Sequence, residues 1–146
     1  MSRQLAASPS VVTPNQSDCR QIAPKKVVLV DDDQFFTRNL ERLLKRQGFT
    51  VVTVKSAIGL SATVEREQPD LLLLDVTMPS LSGDRAADAL RKAGLAKCPI
   101  ILLSALPKEQ LAATAARCQA TGFISKVRRA EDILKEIALV LERWEA

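Results

Sequence analysis

Val27-Val28-Leu29-Val30-Asp31-Asp32-Asp33 decides the fold, because four apolar residues in a row run without a break into three carboxylates. An unbroken apolar run of four that lacks alternation reads as a strand covered on both faces, the kind found in parallel sheets. After it, Phe36, Leu40, Leu43, Leu44 and Gln47 follow helical spacing until Gly48 stops the helix. Asp33 stands where that helix starts and reads as its cap.

The same unit recurs along the chain. Thr50 to Val54 is a β-branched strand, and Ser56 to Arg66 predicts a helix facing inward through Ala57, Leu60 and Val64. Leu71 to Leu74 is a leucine strand that ends at Asp75, followed by a helix from Asp84 to Lys92 with Ala87 and Leu90 inside. Then come a strand at Ile100 to Leu103, a helix at Lys108 to Gln119, a short strand at Gly122 to Ile124, and a last helix from Ala130. The apolar stripe of that helix is Ile133, Ile137, Val140, Leu141 and Trp144. Five β-α units with right-handed crossovers imply an α/β fold: a doubly wound, five-stranded parallel sheet of flavodoxin type, strand order 2-1-3-4-5.

Residues 1 to 24 are rich in Ser, Gln, Asn and Pro, lack an apolar period, and read as a flexible leader. The folded domain is expected over residues 25 to 146, which leaves no room within these 146 residues for a second domain. No apolar run approaches the roughly 18 residues of a membrane span, and no secretory signal opens the chain, so a cytoplasmic protein without a membrane partner is expected. Cys19, Cys98 and Cys118 are odd in number, widely spaced and without a CxxC pair, so they read as reduced thiols packed as small hydrophobes.

Composition removes several kinds of chemistry. The chain contains no histidine, which excludes Ser-His-Asp hydrolysis, HExxH metal sites and a phosphohistidine carried by this molecule. The net charge is +4, but apart from Lys25-Lys26 and the Lys126/Arg128/Arg129 cluster the cations are scattered, and aromatic residues make up only 3%. Neither a basic stripe nor a stacking platform results, so direct nucleic-acid binding is not expected.

In open parallel sheets the site lies beyond the carboxyl ends of the strands. The first strand ends in Asp31-Asp32-Asp33, the third in Asp75, the fourth in Ser104-Ala105 and the fifth in Ser125-Lys126. Carboxylates crowded together repel one another unless a cation offsets them. Oxygen ligands without His or Cys suit Mg²⁺, or Mn²⁺, and a Mg²⁺ site that keeps several waters needs only one or two carboxylates. Such a metal can hold a phosphoryl oxygen while Asp75 attacks phosphorus, with a Ser hydroxyl and a Lys ammonium on the remaining oxygens.

These residues together resemble the signature of the response-regulator receiver family of two-component signalling. Val28 to Asp33 resembles its acidic strand-one motif, and Asp75-Val76-Thr77-Met78-Pro79 with Gly83 resembles its phosphoacceptor loop. Ser104-Ala105 resembles the hydroxyl followed by a small residue, Gly122-Phe123 the aromatic switch position and Lys126 the lysine, all in family order from residue 26 to about 143. The resemblance implies Asp75 as phosphoacceptor, Asp32 as a direct Mg²⁺ ligand, Asp31 as a water-mediated ligand and the main-chain carbonyl of Thr77 as a further ligand. It also implies Ser104 and Lys126 on the phosphoryl oxygens and Phe123 as a switch residue.

A single-domain response regulator is thus expected, phosphorylated by a sensor histidine kinase or a histidine phosphotransfer protein and acting on a downstream protein target through its helix 4, strand 5 and helix 5 face. It would be a self-dephosphorylating phosphoacceptor, not an enzyme acting on other substrates. One departure from the family is Val127, which stands where Pro commonly follows the lysine, often through a cis bond. A cis bond before Val costs about 3–4 kcal/mol, so the isomer of Lys126–Val127 stays open. The competing readings are a phosphate-independent pseudo-receiver scaffold and an aspartate-nucleophile phosphatase of haloacid-dehalogenase type. The second usually places its nucleophile after the first strand and adds a cap domain, neither of which fits Asp75.

Overall fold

The computed structural model describes residues 25–79 and 81–145; the expected leader at residues 1 to 24 and Cys19 lie outside the described residues. Ten elements alternate strictly: β1 Lys26–Val30, α1 Gln34–Arg46, β2 Thr50–Val54, α2 Leu60–Glu67, β3 Leu71–Asp75, α3 Gly83–Lys92, β4 Ile100–Ser104, α4 Lys108–Cys118, β5 Gly122–Ser125 and α5 Ala130–Glu145. The strands form one parallel sheet in the order β2-β1-β3-β4-β5, as expected.

Burial on both faces explains why the strands carry apolar runs. Val28, Val30, Leu72, Leu74, Ile100 and Leu102 point into a core closed by α2, α3 and α4. Val27, Leu29, Leu71, Leu73, Ile101 and Leu103 point the other way, against Leu40 and Leu44 of α1 and Ile133, Ile137 and Leu141 of α5. Alternate side chains of one strand therefore feed two cores. All five strands run the same way, so their carboxyl ends meet at one edge of the sandwich, with the turn from β1 into α1 and the one from β3 into α3 on either side of the β1–β3 pairing.

Two readings of the helices are corrected. The helix expected from Ser56 starts at Leu60, because the Ser56 hydroxyl accepts from the Ile58 N–H at 3.1 Å and Gly59 has φ +79°. That turn buries Ala57 before the helix begins. At the other end of the chain, Trp144 leaves the apolar stripe and stands 49% exposed. The 16 residues of α5 span roughly 24 Å and the 4 residues of β5 roughly 13 Å, so the last turn overhangs the sheet. Cys98 and Cys118 are buried free thiols, and burial pushes the Cys98 thiol up to about 11, which suits packing rather than reactivity.

Candidate functional site

Three carboxylates converge where β1 and β3 end. Asp31, Asp32 and Asp75 each bring an oxygen within 4.8 Å of the other two; Asp31 and Asp75 are buried and Asp32 faces solvent. The cause is register: Val30 pairs with Leu74, so the residues that follow, Asp31 and Asp75, leave the sheet side by side. The Asp31 main chain stays tied to β2 through its N–H and the Val54 carbonyl at 3.0 Å, and one of its carboxylate oxygens accepts from the Asp33 N–H at 2.9 Å.

Lys126 closes the cluster from β5. Its Nζ lies 2.8 Å from Asp31 Oδ2 and 3.8 Å from Asp75 Oδ1, and only 13% of its side chain is exposed. Neither of those oxygens receives a hydrogen bond of good geometry, although both are buried. The ammonium neutralises charge without satisfying the lone pairs, which leaves two buried acceptors, both within 3.8 Å of Nζ, without a hydrogen bond. The Lys126–Val127 bond is trans, since the described residues contain no cis peptide. The lysine reaches the carboxylates all the same, because the Lys126 N–H donates to the Ser104 carbonyl at 2.9 Å and continues the β4–β5 register one residue past the strand.

Electrostatics single out Asp75. Its carboxyl is pushed up from 3.8 to about 6, first by burial and next by the negative charge of Asp31; Lys126 and the Thr77 backbone pull partly back. A cation bound beside the cluster would act in the opposite direction and favour the ionised form. The donor set, oxygen only and partly unsatisfied, fits Mg²⁺ or Mn²⁺.

The remaining sequence-selected residues take separate places. Ser104 is fully buried at the end of β4, and its Oγ accepts from the Leu106 N–H at 3.0 Å, which leaves its own proton available to donate. Thr77 is exposed in the loop two residues past Asp75. Asp33 stays out of the cluster and caps α1, accepting from the N–H groups of Phe35 and Phe36 at 3.1 and 3.2 Å. Phe123 is half-buried and lines a groove of about 650 Å³ between α4 and α5, with Leu111, Val140, Lys108 and Arg143 among its walls. Sequence reasoning missed Phe36: read there only as one position of an apolar helix face, it puts its ring centroid 4.6 Å from Lys126 Nζ.

Fold and acidic site together fit the class of phosphoacceptor modules of two-component signalling. The chain belongs to the response regulator receiver domain family, whose model matches residues 27–138. It is 29% identical over 121 residues to the alkaline phosphatase synthesis transcriptional regulatory protein PhoP of Bacillus subtilis, a match that covers 83% of this chain and 50% of that one. It is 28% identical over 123 residues to the chemotaxis protein CheY of Treponema pallidum, covering 82% and 85%. The chain spans about half the length of curated relatives such as PhoP. Among solved structures, a CheY-like response regulator receiver domain protein from Methanospirillum hungatei shares the fold at a TM-score of 0.75 and 22% identity, over 84% of this chain and 97% of that one. Receiver domains as a class are phosphoacceptors that bind Mg²⁺ at an acidic pocket and interact with histidine kinases and downstream targets. Among the described residues no helix is long and apolar enough to cross a membrane.

Proposed function

We propose that Asp75 accepts a phosphoryl group from a phosphohistidine on a sensor histidine kinase or a histidine phosphotransfer protein, and that residues 25 to 146 form the receiver unit. A carboxylate oxygen of Asp75 attacks phosphorus, the phosphorus–nitrogen bond of the donor breaks, and the departing imidazole keeps the electron pair and takes a proton. The observation that carries this reading is Asp75 Oδ1, buried and without a hydrogen bond beside Asp31, Asp32 and the Lys126 ammonium.

Asp31, Asp32, Asp75 and the Thr77 carbonyl would hold Mg²⁺, which when bound supplies positive charge to a phosphoryl oxygen. Lys126 takes a second phosphoryl oxygen, and the buried Ser104 hydroxyl donates to a third. Both also restrain the mixed anhydride until water hydrolyses it, so the chain resets itself and turns over no other substrate. Engagement of Ser104 shifts the existing balance between two conformations of the β4–α4 segment, and Phe123 follows by packing deeper into the groove it lines. The altered α4–β5–α5 face then binds a downstream protein.

The test is intact mass after incubation with acetyl phosphate, with Mg²⁺ or with EDTA, for the wild type and Asp75→Ala. One added phosphoryl group in the wild type with Mg²⁺ alone is the expected result. A folded wild-type protein that gains nothing would replace this reading with a phosphate-independent scaffold.

A further inference from the structure

The Lys126 main chain is tied to β4 through the Ser104 carbonyl, but that bond does not fix the rotamers of its side chain. The Val127 side chain beside it is 78% exposed, and although the Val127 N–H donates to the Ser125 hydroxyl at 3.3 Å, these main-chain bonds do not reach the lysine side chain. The four-carbon stem has several rotamers to lose, and the Asp31 oxygen that attracts the ammonium is one that a divalent cation would neutralise. A further restraint is the face of Phe36, with its centroid 4.6 Å from Nζ.

Phe36 is itself well fixed. It sits in the first turn of α1, where Asp33 accepts its main-chain N–H, and its half-buried ring packs on the core shared by α1 and α5. An ammonium in van der Waals reach of an aromatic face is attracted by the ring quadrupole, and most strongly where water is excluded, as for a side chain 13% exposed. A leucine would fill similar space without offering that face.

We infer that Phe36 is a positioning residue for the phosphoryl transfer, its ring holding the Lys126 ammonium at the carboxylate cluster whether or not a cation neutralises Asp31. The inference rests on the role proposed for Lys126 and goes beyond it by assigning a function to a residue of α1.

Two variants separate the ring face from mere volume: Phe36→Leu removes the aromatic face, and Phe36→Tyr keeps it. The first readout needs no phosphoryl transfer. In NMR spectra of lysine-labelled protein, the Lys126 Hε signals should be shifted upfield by the ring in the wild type and in Phe36→Tyr, and should return toward ordinary lysine positions in Phe36→Leu. The second readout is the rate of phosphorylation by acetyl phosphate at saturating Mg²⁺, which should fall about three- to tenfold in Phe36→Leu and stay within about twofold in Phe36→Tyr. Ordinary Lys126 shifts in the wild type, or a Phe36→Leu rate equal to the wild type in a folded protein, overturns the inference. A wild type that shows shifted Lys126 signals but takes up no phosphate overturns the role in phosphoryl transfer through the failure of the proposed function, while the placement of the lysine on the ring stands.

Discussion

A Cβ placed on Gly83 would stand 2.3 Å from the carbonyl oxygen of Asp75 and 2.9 Å from its carbonyl carbon. The start of α3 therefore lies directly on the main chain of the proposed phosphoacceptor, with the Gly83 N–H donating to the Val76 carbonyl at 3.3 Å. The contact is backbone against backbone, so no flexible side chain can give way. Gly83→Ala should cost about 1–3 kcal/mol in urea unfolding. It should also slow Mg²⁺-dependent phosphorylation, since α3 and Asp75 must move apart. A variant with wild-type stability and rate would show that the close approach carries no constraint.

Asp75 makes stability depend on pH and on metal. Its pKa is raised from 3.8 to about 6 in the folded protein, so between those values the folded state binds more protons than the unfolded one. By linkage, the contribution of Asp75 to metal-free stability falls as pH rises from about 4 to 6 and stays unfavourable above that. In EDTA at pH 7, Asp75→Asn should be more stable than the wild type by about 1–3 kcal/mol, and the gap should close toward pH 4. Excess Mg²⁺ at pH 7 should stabilise the wild type much more than the variant. Urea unfolding of both proteins at pH 4.5 and 7 decides it; a gap that does not narrow at the lower pH contradicts the assignment.

Arg91 adds a polar tie between α3 and α4, which already share an apolar core. From the last turn of α3 its Nη2 donates to the Cys118 carbonyl at 2.9 Å and to the Gln119 carbonyl, meeting the unpaired end of α4. Arg91→Ala should cost about 1–2 kcal/mol and speed amide hydrogen exchange selectively in the last turn of α4. Exchange that rises equally along all five helices would mean that the arginine stabilises the molecule as a whole and does not hold this end.

Much of this architecture is legible in local sequence because the signals are periodic. A strand covered on both faces must carry an apolar run, as Leu71 to Leu74 does, and an amphipathic helix must repeat at helical spacing, as Leu40 and Leu44 do. Where local turn chemistry competes with the period, it prevails: Ser56 and Gly59 delay α2, although Ala57 continues the apolar pattern. Trp144 fits the stripe of α5 but has no sheet left beneath it, and the relative lengths of neighbouring elements are not written in either one alone.

For the site, the sequence by itself determined the chemical inventory and its side of the sheet: carboxylates, a hydroxyl and a lysine immediately after strands that all run one way. Local sequence also determined the cap at Asp33, because a helix start can be satisfied from three residues away. Only the tertiary structure decided which of these groups meet. Asp31 and Asp75 are 44 positions apart and become neighbours through strand register, while Lys126 arrives from a strand that does not touch β1. The trans bond at Val127, the contact of Gly83 with Asp75 and the ring of Phe36 beneath Lys126 depend on distances between elements. Residue type and spacing encode what a segment prefers; the packing of all the segments at once sets the ångströms between their ends.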